Sequence, residues 1–333
     1  MRPTVVLIGS MYAPEAEELL EQHAVVRRVD DQDRSAVLAA VAEAHGVVAR
    51  YPARIDAELI AAAPNLVAVL SSGRGVDNID LDAATAAGVV VANNPGLGGK
   101  PVSEHALGLL LMVTRGLTAI SRNGIEKAWD ARLTTHRVEL TGKVLGIIGL
   151  GNVGGWMARR AHGGFLMRVL AYDPYVSAEK MAEVGAEKVE TLEELLSRAD
   201  FVTCHPELND ETEYMFDDKA FAQMKPGAYF MNTSRGRVVD TAALARALRS
   251  GHLGGAALDV YEDEPLAADS PLLDIENLVL SAHIADFTVE TKRALALSAA
   301  TQLLSALEGK QPPAVLNPDA WGRAAERRRA LLA

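Results

Sequence analysis

The sequence predicts an α/β protein built on two parallel sheets, each covered by helices on both faces. Two patterns and the length point there. Short β-rich runs alternate with helical stretches along almost the whole chain, the alternation that builds parallel sheets. Each run is nearly continuously apolar, as strands buried on both faces must be. The length of 333 residues exceeds one ordinary core and suits two domains.

In chain order, TVVLIG, AVVRRV, GVVAR, LVAVLS and GVVVANN read as the strands of a first set. Alanine- and acid-rich helical stretches such as PEAEELLEQ and RSAVLAAVAEA lie between them. PVSEHALGLLLMVTRGLTAISRNG is the longest helical stretch and is too apolar for a single buried stripe, which predicts packing on more than one side. It suits an interdomain connector, a subunit contact, or both. After residue 140 a second set follows, with KVLGIIG, MRVLAYD, DFVTCH, GAYFMN, GGAALDV and NLVLSAH as strands. TLEELLSRA opens on Thr191 with Glu194 three residues on, a capping box that starts a helix. TVETKRALALSAATQLLSALEG comes after the last strand and is expected to return to the first domain. That domain is then discontinuous, residues 1–98 with 290–333, around a second domain of residues 99–289.

Composition narrows the function. With 49% hydrophobic and 23% charged residues the chain reads as globular. A formal charge of −11 argues against nucleic acid as a partner, because neutralising phosphates needs a basic face. The basic end, RAAERRRALLA, reads as a short solvated helix. The single cysteine, Cys204, allows no intramolecular disulfide and no CxxC metal site, and fits a reducing compartment. TVVLIG is too short for a signal peptide's apolar region, and HALGLLLMV is well short of a membrane span. A cytoplasmic protein without membrane contact is expected.

The stretch IIGLGNVGG carries the first chemical signal. A glycine pattern alone is weak, but here a strand precedes it and NVGGWMARRA opens a helix behind it. Gly149 permits the tight turn, Gly151 lets backbone approach a pyrophosphate, and Gly154 lets helix and strand pack closely. The phosphates would meet unpaired N–H groups at the positive end of the helix. MRVLAYD ends in Asp173, about 20 residues further on. A carboxylate there bonds both ribose hydroxyls and repels a 2′-phosphate, which favours NAD over NADP.

Hydride chemistry beside a dinucleotide needs a group to hold the electrophile and a group to exchange a proton. GAYFMN runs into Thr233, Ser234, Arg235 and Gly236, placing a guanidinium at a strand end. Arg grips a carboxylate bidentately and polarises an adjacent carbonyl, although the local pattern equally fits an Arg that bonds loop carbonyls. NLVLSAH places His283 at another strand end, where an imidazole can serve as acid and base. His205, after DFVTC, is its topological rival. ALDVYEDEP supplies a carboxylate partner that would orient His283, with Glu262, Asp263 and Glu264 all open. Cys204 beside His205 hints at a thiol nucleophile, yet a cysteine inside an apolar strand reads as core. No HExxH or similar spacing occurs, so no metal is expected.

Taken together, GRGVDNIDLDAA, SEHALGLLL, LTGKVLGIIGLGNVG, YDP, MKPGAYFMNTSRGRVVD, GGAALDVYEDEPL and SAHIADFT resemble the D-isomer-specific 2-hydroxyacid dehydrogenases, over roughly residues 45 to 310. The resemblance implies a Rossmann cofactor domain inserted into a flavodoxin-like substrate domain, both doubly wound. It implies NAD as cofactor and a small D-2-hydroxy or 2-oxo acid as substrate, with Arg235 holding the carboxylate and His283, paired with Glu264, as acid/base. Glu264 is the carboxylate that matches, since it immediately precedes the proline of the motif. Asn152 and Val153 would lie by the pyrophosphate, and Asp173 by the adenosine ribose. Asp259 would bind the nicotinamide amide, with Thr233 and Ser234 lining the ring's pocket. Gly73, Arg74, Gly75 and Val76 would offer N–H groups to the substrate carboxylate. A homodimer joined through the cofactor domains and a hinge closure that expels water are also implied.

Four departures from the family pattern carry expectations of their own. ARRAHGGFLMRV holds one residue more than usual between Gly154 and Asp173, which predicts a bulge at the helix end. HPELND moves a proline in the adenine-side loop, and Ala282 replaces the proline common before the catalytic His. Arg74 stands at a substrate-facing position and is expected to select an extra anionic or polar group, partly offset by Asp286. Two other readings share these residues: a nicotinamide-sensing interaction protein of the corepressor kind, and an oxidant of phosphite or formate.

Overall fold

The five β-rich runs of the first set become five parallel strands: β1 (Thr4–Ile8), β2 (Val25–Val29), β3 (Gly46–Ala49), β4 (Ala68–Ser71) and β5 (Val90–Ala92). Their order in the sheet is β2-β1-β3-β4-β5, the doubly wound order found in flavodoxin-like domains. Helices α1 (Pro14–His23), α2 (Arg34–Val41), α3 (Ala57–Ala62) and α4 (Leu81–Ala87) connect them. Three of these four start on an aspartate, Asp33, Asp56 or Asp80, whose side chain accepts the N–H three residues on. Each such cap contributes about 1 kcal/mol. The computed structural model describes residues 2–117, 126–129, 132–133 and 136–332. The chain divides into two compact units, Met1–Gly98 with Phe287–Ala333, and Gly99–Asp286.

The second unit opens with α5 (Gly99–Thr114), whose apolar residues Ala106, Leu109, Leu110 and Val113 are buried. It packs on the sheet and on α6 (Asn152–Phe165) at once, which explains a composition richer than one stripe. Residues 118–124 of the same stretch lie outside the described residues. The strands are β6 (Val144–Ile148), β7 (Arg168–Tyr172), β8 (Ala186–Lys188), β9 (Phe201–Cys204), β10 (Tyr229–Asn232), β11 (Gly255–Leu258) and β12 (Leu278–Leu280). All pair in parallel in the order β12-β11-β10-β9-β6-β7-β8, so the chain reverses direction across the sheet between β6 and β9. The helices between them include α7 (Ala178–Ala182), α8 (Leu192–Arg198), α9 (Asp218–Gln223) and α10 (Thr241–Arg249). At α8, Thr191 accepts the N–H of Glu194, while the Glu194 carboxylate pairs with Arg198. Apolar clusters fill both faces of the sheet, one of them around the rings of Phe216, Phe221 and Phe230.

α6 ends by taking Leu166 into the left-handed region (φ 54°) and turning the N–H of Met167 back to the carbonyl of Ala161, 3.1 Å away. Asp173 directly follows β7. α11 (Val289–Leu307) packs on β3 and β4 of the first sheet. α12 (Trp321–Leu332) is the helix expected at the basic end, with Arg323 and Arg329 exposed, but three of its arginines also bond backbone carbonyls. Arg323 bonds the carbonyls of Thr85 and Ala86, Arg327 those of Leu66, Ala87 and Gly88, and Arg328 that of Leu307. Most of these carbonyls close α4, whose C-terminal partial charge attracts cations. Among the described residues no helix is long and apolar enough to cross a membrane.

Candidate active site

Strand register sets the site. Tyr172, Ile148, Cys204, Asn232, Leu258 and Leu280 form one row of hydrogen-bonded neighbours across β7, β6, β9, β10, β11 and β12. The next residue on each strand is Asp173, Gly149, His205, Thr233, Asp259 or Ser281. These six therefore share the carboxyl-end edge of the sheet, spread over about 24 Å at one strand spacing per step. The reversal of strand order lies at Gly149, where open α/β sheets bind their ligands.

Gly149 adopts a left-handed conformation (φ 81°), and a Cβ there would come within 2.7 Å of the backbone of Pro206. Gly154 sits so close beneath the turn that a Cβ would meet the Gly149 carbonyl oxygen at 2.2 Å. Gly151 is the opposite case: a Cβ built on it meets nothing within 4 Å. It is also the cap of α6 and brings no side chain to the first N–H groups of the helix, those of Asn152, Val153 and Gly154. The loop thus presents open space beside unpaired donors and the positive end of a dipole, which fits a dinucleotide's pyrophosphate. Asp173 accepts the N–H of Leu150 at 2.8 Å and that of Tyr175 at 2.9 Å, tying the end of β7 to the glycine turn.

Arg235 follows β10, in a turn locked by Asn232. That fully buried amide accepts the N–H and the hydroxyl of Ser234 and donates to the Arg235 carbonyl, all within 2.9 Å. The Arg235 guanidinium reaches its own loop, donating from Nη1 to the Ser234 carbonyl at 2.8 Å. Gly236 packs against the backbone of Tyr261 and Glu262 so tightly that a Cβ would overlap the Tyr261 carbonyl at 1.8 Å. The arginine loop and the carboxylate loop are therefore in direct contact.

Among the three carboxylates, Glu264 meets the imidazole: its Oε2 lies 2.7 Å from Nδ1 of His283, and its Oε1 accepts the N–H of Tyr261 at 3.1 Å. Glu262 instead takes the N–H of Thr241 at the start of α10 and the hydroxyl of Tyr214. Asp263 is exposed. His283 has φ 51° and donates its N–H to the Asp259 carbonyl at 2.7 Å. Asp259 is 1% exposed, and its side chain accepts from the Ser281 hydroxyl and the N–H groups of Ile284 and Ala285 within 3.0 Å. Burial raises its pKa, yet His105, Ser281 and these amides outweigh it and hold the carboxylate below its ordinary value.

His205 differs from His283 in its company. Its Nε2 lies 3.0 Å from the Thr203 hydroxyl and its Nδ1 3.3 Å from that of Thr233. Burial lowers its pKa to about 3, so it stays neutral between two threonines. Cys204 is fully buried, and burial pushes its thiol well up, the condition of an inert core cysteine.

In the first unit, the loop after β4 is clamped through its carbonyls. Gly73 O accepts the N–H of Asn94 at 3.0 Å, Arg74 O the side chain of Asn93 at 2.7 Å, and Gly75 O the Ser71 hydroxyl at 2.8 Å. Gln302 of α11 in turn donates to the Asn93 carbonyl at 2.9 Å and to Asn94 Oδ1 at 3.2 Å. In a trans peptide the N–H opposes the C=O, so the N–H groups of Arg74, Gly75 and Val76 face away from the clamp. One strand over, Arg50 ends β3 with its guanidinium 4.0 Å from the Tyr12 ring and 4.7 Å from that of Phe287.

Reading the sequence did not find Asn232, Ser281, His105, Gln302 or Arg50. The Asn93–Asn94 pair closing the run GVVVANN was a visible signal, since two amides at a strand end have carbonyls to hold. His105 and Gln302 lie far along the chain from the groups they bond.

Residues 107–285 match the family model described as D-isomer specific 2-hydroxyacid dehydrogenase, NAD binding domain. The chain is 40% identical over 313 residues to a D-3-phosphoglycerate dehydrogenase of Mycobacterium tuberculosis (strain H37Rv), covering 94% of this chain but 58% of that protein. It therefore spans little more than half the length of such relatives. With a glyoxylate reductase of Korarchaeum cryptofilum it shares 37% identity over 291 residues, 86% of each chain. The crystal structure of a glyoxylate reductase from Paecilomyes thermophila superposes with a TM-score of 0.84 at 30% identity, covering 94% of this chain and 98% of that one. With its glycine turn, its two parallel sheets and a family model matched over more than half its length, the chain belongs to the D-isomer specific 2-hydroxyacid dehydrogenase family and carries the family's NAD-binding domain.

Proposed function

We propose that this protein is an NAD-dependent dehydrogenase that interconverts a small D-2-hydroxy acid and its 2-oxo acid. The observation that carries the reading is the 2.7 Å bond between Glu264 and His283 on the sheet edge that also holds the glycine turn. When bound, NAD supplies the hydride acceptor. Asn152, Val153 and Gly154 hold its pyrophosphate, Asp173 its adenosine ribose, and Thr233, Ser234 and Asp259 line the nicotinamide end. The residues of this chain do the rest. Arg235 grips the substrate carboxylate and polarises the neighbouring C–O group. Glu264 commits Nδ1 of His283 to itself, which makes Nε2 the nitrogen that takes the hydroxyl proton in oxidation and returns it in reduction. The loop from Gly73 through Arg74 and Gly75 binds substrate through the outward N–H groups of Arg74, Gly75 and Val76, and the Arg74 side chain selects a substrate with a further anionic group.

We further propose a cytoplasmic homodimer, consistent with the lone buried cysteine and with the family resemblance. The test is loss of absorbance at 340 nm on mixing protein, NADH and a panel containing glyoxylate, hydroxypyruvate and a phosphorylated 2-oxo acid. His283→Ala should lower turnover about 10²- to 10⁴-fold. No turnover of any 2-oxo acid, or an unaffected His283→Ala enzyme, would overturn the reading. Arg74→Ala should lose most on the phosphorylated acid; equal losses on all three would remove its selecting role.

A further inference from the structure

His105 lies in α5, within the stretch SEHALGLLL, and belongs to none of the groups assigned above. Its Nε2 is 3.0 Å from the hydroxyl oxygen of Ser281 and 3.5 Å from Oδ1 of Asp259. The proton count fixes the direction of these bonds. Ser281 has one hydroxyl hydrogen, and the Asp259 carboxylate, 2.7 Å away, takes it. The Ser281 oxygen is then left to accept, so His105 donates from Nε2. Two further groups close the arrangement. The Tyr261 hydroxyl bonds the Ser281 carbonyl, and the Asp259 carboxylate gathers the N–H groups of Ile284 and Ala285. His283 sits inside this knot, in a left-handed conformation that is uncommon for a residue other than glycine.

We propose that His105 is a positioning residue for the imidazole of His283. Through Ser281 and Asp259 it holds residues 281–285 in the one backbone conformation that presents His283 to Glu264. The proposal rests on the reading of His283 as the proton-exchanging group, but the geometry it explains, a left-handed histidine bonded to a glutamate, is independent of turnover. A histidine that merely fills space between α5 and β12 would act through volume alone. A positioning histidine acts through its donor.

Two substitutions separate these roles. His105→Leu keeps bulk and removes the donor, while His105→Gln restores an N–H at similar reach. His105→Leu should lower kcat about 10- to 100-fold, the scale of a catalytic group displaced by about 1 Å. NADH affinity and KM for the oxo acid should stay within about threefold, the thermal midpoint should change little, and His105→Gln should recover most of the loss. A second readout needs no turnover: the downfield proton resonance of His283 Nδ1–H, assigned by its absence in His283→Ala, should persist in His105→Gln and broaden or vanish in His105→Leu. Ser281→Ala removes the intermediate group; it should reproduce both effects and add little to His105→Leu, which also covers a leucine variant that fails to fold. Equal losses in the Leu and Gln variants, or an intact resonance and kcat in His105→Leu and Ser281→Ala, would overturn the proposal. If the wild-type protein reduces no 2-oxo acid yet the resonance follows the donor as described, the positioning role stands and the dehydrogenase reading is what fails.

Discussion

Two glycines three residues apart should respond to the same substitution in opposite ways. At Gly154 the added methyl of Gly154→Ala would meet the Gly149 carbonyl oxygen at 2.2 Å, backbone against backbone, with no flexible side chain to yield. Alanine is intrinsically better than glycine in a helix by about 1 kcal/mol, but overpacking costs about 1–3 kcal/mol and more where nothing can move. The net should be a loss of about 1–3 kcal/mol, and a fall in thermal midpoint of about 3–10 °C for a unit of this size. At Gly151 the methyl meets nothing within 4 Å and φ is −76°, outside the left-handed region that requires glycine. Gly151→Ala should therefore keep stability to within about 1 kcal/mol, a weaker cap being offset by a less flexible unfolded chain. On the proposed function it would, however, place carbon in the path of the pyrophosphate. NADH affinity should drop about 10- to 100-fold, or about 1.4–2.8 kcal/mol. Differential scanning calorimetry and NADH fluorescence titration read the two effects separately. Wild-type NADH affinity in Gly151→Ala would refute the reasoning, because the coenzyme would then not pass over that residue.

Three further outcomes are expected. Asp173→Ala should weaken NADH about tenfold by removing the ribose partner and the bond to Leu150 N–H, and should narrow the gap to NADPH; an unchanged gap in paired titrations would place ribose recognition elsewhere. Gln302→Leu should raise KM for the oxo acid about three- to tenfold, the worth of a hydrogen bond or so, and leave NADH affinity alone, since its amide holds Asn93 and Asn94 behind the Gly73–Gly75 loop; a shifted NADH affinity with constant KM would contradict it. His205 has its pKa lowered by burial from 6.5 to about 3. The folded protein then binds fewer protons than the unfolded chain between those values, so stability falls as pH drops below about 6.5. The loss at pH 5 relative to neutrality is about 2 kcal/mol at most. His205→Gln should flatten it in urea melts at pH 7 and pH 5; an identical acid dependence in variant and wild type would show that His205 is not held neutral.

Most strands were legible because each carries its own signal, an apolar run of four or five residues that needs cover on both faces. β8 was not. Ala186, Glu187 and Lys188 form an edge strand with one buried side chain, and only the exposed backbone of β7 makes a strand of them. The arginines of α12 were legible only in part, for the reverse reason. A run of cations looks solvated from sequence, yet the closing carbonyls of α4 are acceptors that no local pattern reveals. The glycine turn, Asp173 and the Glu264–His283 pair stood out because their spacing along the chain is itself the chemistry. The residue pattern alone left three acids open for His283 and the family resemblance pointed to Glu264; in the structure Glu264 bonds the ring, while Glu262 is drawn off by the N–H of Thr241.

The groups that hold those residues in place show why the remainder was hidden. Asn232 locks the arginine turn, Ser281 and Asp259 the histidine loop, and Asn93, Asn94 and Gln302 the Gly73–Gly75 loop. Apart from the half-buried Ser281, which bonds the side chains of Asp259 and His105, each is a buried polar side chain that bonds backbone groups at the end of a strand. Strand ends in a parallel sheet leave carbonyls and amides without ladder partners, and burying them unpaired would cost about 1–3 kcal/mol apiece. A loop free to move could satisfy these groups with water, but it would then have no fixed conformation. Supplying the partners from side chains on other elements removes the desolvation cost and the freedom together. The same amide that satisfies a stranded carbonyl also fixes the direction of the next N–H, and so aims the donors that a carboxylate or a pyrophosphate would meet. The long-range polar contacts are thus neither decoration of the core nor part of any motif; they are how a sheet edge with dangling hydrogen bonds becomes a site with preset donors.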